Sequence, residues 1–80
     1  MAALKARFLE RLAQDLVAFR EGQEGIVGPR AHRLAGAAGI FGFTELGRLA
    51  RIVDDEWRDD GIEPGALAAL IAEAEAVLSA

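Results

Sequence analysis

The chain has 80 residues, no cysteine and a formal net charge of −4 at pH 7, with a pI near 4.8. A chain this short supports one small core to which every element must contribute, and without cysteine neither a disulfide nor a thiolate metal site can supplement it. The acidic balance excludes a nucleic-acid module, because binding a phosphate backbone needs a basic footprint.

From Ala2 to about Glu21, Leu4, Phe8, Leu12, Leu16 and Phe19 recur at three- and four-residue spacing, with Leu9 widening the stripe. That period predicts an amphipathic helix, and Lys5, Arg7, Glu10, Arg11, Gln14 and Asp15 take its other faces as a solvated set. The opening residues are too charged for a secretory leader, and no run approaches the roughly 18 apolar residues that span a bilayer. A cytoplasmic chain without membrane contact is expected. Gly22 supplies a left-handed helix stop, and Gln23 to Gly28 reads as a glycine-rich connection whose Ile26 and Val27 fold back over the bundle.

Pro29 has no amide hydrogen and fits the first position of a second helix, which would place His32 within about one turn of a positive helix terminus. This helix is expected to reach Gly42. Wound at roughly 100° per residue, it gathers Ala31, Leu34, Ala38 and Phe41 into an apolar stripe. His32, the only histidine, projects about 140° from the centre of that stripe, beside Ala35, Gly36 and Gly39. Each helical glycine costs about 1 kcal/mol relative to alanine. Because Gly36 and Gly39 fall on the histidine side, the space they open is expected to face outward, toward a partner.

Phe43 and Thr44 read as an apolar residue followed by a capping hydroxyl. From Glu45 to Asp60, Leu46, Leu49, Ala50, Val53 and Trp57 form the apolar face of a third helix, with Trp57 as a packing residue. Asp54, Asp55, Glu56, Asp59 and Asp60 fan over several faces and read as a solvated acidic set rather than a metal cluster. Gly61 closes this helix. Pro64 opens a fourth, carried by Leu67, Leu70, Ile71, Ala74, Val77 and Leu78. The expectation is an all-α, up-and-down antiparallel four-helix bundle forming one domain over residues 1–80.

A lone histidine cannot build a metal site without converging ligands. Catalysis of the triad type lacks a nucleophile, since Ser79 is penultimate and Thr44 is used as a cap. No glycine-rich phosphate loop is present either. What remains is the imidazole as a nucleophile toward phosphorus, because a neutral ring keeps one nitrogen lone pair free.

The run Ala31-His32-Arg33-Leu34-Ala35-Gly36-Ala37-Ala38-Gly39-Ile40-Phe41-Gly42 resembles the signature of histidine-containing phosphotransfer (HPt) domains. Leu46, Ala50, Val53 and Asp54 resemble the family's Leu, small residue, Leu and Glu on the next helix. The resemblance covers the middle third of the chain. It implies a phosphorelay protein in two-component signal transduction, with His32 accepting a phosphoryl group from the aspartyl phosphate of a receiver domain, or from a kinase, and passing it to another response regulator. It also implies that Gly36 is the small residue that clears space for the phosphoryl group. The partners implied are a receiver domain and a hybrid histidine kinase. The protein would be a carrier rather than an autonomous enzyme, with no cofactor of its own, and magnesium would belong to the receiver.

The sequence departs from the family in having Ala35 where the family has Lys. Arg33 is adjacent but about 100° around the helix, and Arg51 or Arg48 reaches the site if the hairpin sets His32 opposite Val53; the residues leave these open. Pro29 after Gly28 is a second departure, expected to shorten the second helix. Docking is expected on the strip of His32, Gly36 and Gly39, rimmed by Ile40, with Arg33 and Ala35 alongside, in a monomer. The competing readings are a degenerate bundle that binds a receiver or kinase without taking phosphate, and a homodimer whose glycine strip meets itself.

Overall fold

Each apolar period becomes a helix. In the computed structural model, which describes residues 2–80, α1 spans Ala2–Glu21, α2 Glu24–Ala38, α3 Thr44–Arg58 and α4 Pro64–Ser79. Met1, the first residue of the expected 1–80 domain, lies outside the described residues. Phe8, Leu12, Leu16 and Phe19 of α1 meet Val27, Ala31, Leu34 and Ala38 of α2, Leu46, Ala50 and Val53 of α3, and Leu70 and Ala74 of α4 in one core. Helices adjacent in sequence pack as neighbours, and α1 closes the ring against α4. The result is the four-helix, up-and-down bundle that the periodicity predicts. No helix is long and apolar enough to cross a membrane among the described residues. Leu4 departs from its expected place on the core stripe: it is 54% exposed, at the rim of a groove between α1 and α2 beside Phe8 and Phe41.

The second helix begins earlier than Pro29 suggests. It starts at Glu24 and carries Pro29 inside it, so the stretch expected to be a connection is helical, with Val27 buried and Ile26 exposed. A proline there removes one backbone hydrogen bond. The usual clash with the preceding residue is relieved because that residue is Gly28, which has no Cβ. Packing supplies the reason for the helix to continue. The Trp57 ring lies directly on the Gly28 backbone, where a Cβ would come within 2.0 Å of Trp57 Cδ2.

Farther along the same seam, Gly47 of α3 faces Ala38 of α2, its missing Cβ 3.5 Å from the alanine methyl. Contacts of Gly28 with Trp57 and of Ala38 with Gly47 coexist only if α2 and α3 run antiparallel in one fixed register.

The α-helix also stops short of the expected Gly42. It ends at Ala38, followed by a 3-10 turn over Gly39–Phe41, and Gly42 at φ 84° reverses the chain. The reversal is closed by the Gly42 amide donating to the Gly39 carbonyl at 3.1 Å and the Phe43 amide donating to the Ala38 carbonyl at 3.0 Å. Phe8 anchors it, with ring centroids 4.9 Å from Phe41 and 5.5 Å from Phe43. Thr44 is the first residue of α3 rather than its cap; Phe43 occupies the cap position and no side-chain capping bond forms. Pro64 opens α4 as expected, and Gly22 and Gly61 take positive φ as stops.

The two glycines inside α2 should respond oppositely to alanine. Gly28→Ala forces the Trp57 ring off its seat and should destabilise the bundle by about 1–3 kcal/mol. Gly36→Ala meets nothing within 4 Å and should stabilise it by about 0.5–1 kcal/mol through helix propensity alone. Urea unfolding monitored at Trp57 measures both, and shifts of the same sign would contradict this packing.

Candidate functional site

His32 is the ninth residue of α2, on the face away from buried Ala31 and Leu34, and its side chain is 59% exposed. At about 1.5 Å per residue it stands roughly 12 Å from the helix start, beyond the first turn in which the helix dipole acts. The expected dipole contribution to an anion at His32 is thereby removed. Its cause is the earlier start of α2.

The ring is held from α3. His32 Nδ1 lies 3.0 Å from Asp54 Oδ2, and Arg58 Nε donates to the other carboxylate oxygen, Oδ1, at 2.9 Å. Arg58 Nη2 also lies 3.0 Å from Nδ1, yet that nitrogen fills only one role at a time. An ionised carboxylate accepts only, so hydrogen-bond logic puts the ring proton on Nδ1, donated to Asp54. Arg58 then acts on the pair chiefly by charge and through its own bond to Asp54. Nε2 is left with its lone pair, and among the described residues it has no hydrogen-bond partner.

Asp54 corrects an expectation. Placed by sequence in a solvated acidic set, it is only 8% exposed, because it lies in the α2–α3 seam next to buried Val53. Burial pushes its carboxyl upward, but hydrogen bonds from His32 and Arg58, with the Arg58 charge, outweigh burial and hold it below the usual carboxylate value. It therefore stays ionised as an acceptor for the ring.

An open cleft of about 460 Å³ is lined by His32, Arg33, Ala35, Gly36, Arg51 and Asp54. The strip beside the histidine is bare: a Cβ at Gly36 or at Gly39 would meet nothing within 4 Å. Four of the sequence-predicted residues, His32, Arg33, Ala35 and Gly36, thus share one cleft. Gly39 and Ile40 lie outside its lining, on the 3-10 turn, with Ile40 76% exposed.

The arginines sort by partner. Arg33 lines the cleft, but its Nη2 donates to Asp15 Oδ1 at 2.9 Å, and Arg30 Nη1 donates to the same oxygen at 2.8 Å. Asp15, expected among the solvated residues of α1, is in fact 2% exposed, because these two guanidiniums of α2 fold over it. Arg48 turns back to Glu45 on its own helix. Arg51 is exposed, and among the described residues it has no hydrogen-bond or ion-pair partner. Arg58 was not singled out by sequence reasoning; its signal was the four-residue spacing from Asp54, which puts an acid and a base on one helix face. Among the described residues no three His, Cys, Asp or Glu side chains converge to hold a metal ion.

The sequence model of the family described as Hpt domain matches residues 3–80. No curated protein and no solved structure matches the chain.

The lowered Asp54 carboxyl has a consequence for acid stability. A carboxylate depressed in the fold stabilises above its unfolded value and loses that contribution as pH falls through its folded value. Asp54→Asn should therefore cost about 1 kcal/mol near neutral pH, and the gap to the unmodified protein should close as pH falls below the ordinary aspartate range. Urea unfolding across that range checks it; a gap independent of pH would show that Asp54 carries no net ionic interaction.

Proposed function

This chain belongs to the Hpt domain family, whose members carry out histidine phosphotransfer in phosphorelays, and from that premise we propose that His32 is the phosphoryl acceptor. The observation that carries the reading is the hydrogen bond of His32 Nδ1 to a buried, ionised Asp54 on a ring that otherwise stands in solvent. One nitrogen is held and the other is free.

In the proposed step the Nε2 lone pair attacks the phosphorus of an aspartyl phosphate on a receiver domain. A P–N bond forms, and the P–O bond breaks with its electron pair leaving on the aspartate. Nδ1 keeps its proton, so the ring becomes cationic, and the Asp54 carboxylate opposite that proton stabilises the new charge and fixes the ring. Phosphoryl transfer is chiefly positioning and charge neutralisation. The division of labour follows: this chain presents a nucleophile in a fixed tautomer, while magnesium and the acidic pocket belong to the receiver. Passing the group to a second regulator is the same step reversed.

The proposed docking surface is His32 with the bare Gly36 and Gly39 strip, edged by exposed Ile40. A monomer acting in the cytoplasm, charged by a receiver or by a hybrid histidine kinase, fits this reading. A bundle that binds such partners without taking phosphate would have no use for an imidazole held by a buried carboxylate.

Incubation with a panel of receiver domains charged from radiolabelled acetyl phosphate tests the proposal. Acid-labile, alkali-stable label should appear on the protein and be absent from His32→Gln. Asp54→Ala should slow labelling roughly tenfold, the rate equivalent of one charge-assisted hydrogen bond. Gly36→Leu should slow transfer from the receiver while leaving the helical content intact. A folded protein that binds receivers yet takes no label from any of them would leave the binding-module reading in its place.

A further inference from the structure

We infer that Arg51 is the residue that binds the phosphoryl group carried on His32, an inference that rests on the acceptor reading above. A phosphoryl group on His32 would bring a dianion beside a ring already paired with a buried carboxylate, so a cation on the cleft side has to balance it. Three guanidiniums are near. Arg58 is engaged with Asp54 Oδ1 at 2.9 Å and stands against Nδ1, the ring nitrogen that takes no phosphorus. Arg33 is engaged with Asp15 at 2.9 Å, and that carboxylate is so deeply placed, its side chain 3% exposed, that drawing Arg33 away would leave a buried charge with one partner fewer. Arg51 lines the same cleft as His32 and is committed to nothing among the described residues.

Its place on α3 supports the assignment. Arg51 precedes Asp54 by three residues, so both lie on one helix face, with Arg58 one turn beyond on the other side of Asp54. Because α2 and α3 are antiparallel, the step back from Asp54 to Arg51 runs beside the step forward from His32 to Ala35 and Gly36. Ala35 is short, and no Cβ stands at Gly36, so no side chain of that turn fills the space between the guanidinium and the strip. A guanidinium can bind two phosphoryl oxygens at once. Its part in the transfer is non-covalent: Nε2 still forms the P–N bond, and the leaving electron pair still departs on the donor.

Potassium phosphoramidate, a small phosphoryl donor that releases ammonia, separates this inference from any question of partner. With the intact protein, loading of His32 should proceed about three- to tenfold faster than with Arg51→Ala, the rate equivalent of one ordinary hydrogen bond made by an exposed side chain. Arg51→Lys, which keeps the charge, should recover part of the rate. In the loaded protein, the phosphorus NMR titration of the phosphoryl group should move to higher pH in Arg51→Ala, since losing a nearby cation disfavours the dianion. Arg48→Ala, whose guanidinium is turned to Glu45, should leave both measurements unchanged. Arg51→Ala loading and titrating as the unmodified protein does, or Arg48→Ala falling equally, overturns the assignment of Arg51 while leaving His32 as acceptor. A folded unmodified protein that takes no phosphoryl group from the donor overturns the acceptor reading and this inference with it.

Discussion

The close seating of α2 on α3 is the constraint on which the rest depends. Trp57 rests on Gly28, and Gly47 meets Ala38, and between these two contacts the helices have no freedom to slide or to part. His32 comes opposite Asp54 because of that register. A shift of one residue would turn the carboxylate out of the seam, since neighbouring helical residues point about 100° apart. Pro29 is tolerated for the same reason: the glycine that relieves its clash is also the glycine that seats the indole.

Charge is distributed with similar economy. The chain is acidic overall, yet the cleft beside His32 is lined by two arginines, with a third attached to Asp54. Two carboxylates are drawn into the structure, Asp15 by Arg30 and Arg33, and Asp54 by Arg58 and the imidazole. Each pairing fixes a side chain that would otherwise wander, and together they decide which guanidinium remains available. The glycines divide along the same line. Gly28 and Gly47 serve contacts inside the bundle, whereas Gly36 and Gly39 leave the outer strip uncovered.

Four amphipathic stripes, the helix stops at Gly22 and Gly61, and an exposed histidine beside two bare glycines were legible from residue order, because each depends on contacts within a turn or two of the chain. Pro29 misled for a physical reason. Its local preference for a helix start is real, but Val27, Ala31 and the indole of Trp57 give more by continuing the helix than the missing amide hydrogen takes away. Asp15 and Asp54 were read as solvated because a carboxylate is ordinarily found in water; both enter the structure only because arginines distant in sequence or one turn away accompany them.

The sequence by itself determined the all-helical bundle and the face on which His32 stands, since helical period and chain reversals are local properties. Only the tertiary structure decided what touches the imidazole. Residue order left open which side chain of the next helix faces the ring, and the folded seam brings the Asp54 carboxylate to it. That choice is fixed by side-chain packing between helices, which no pattern along a single helix contains.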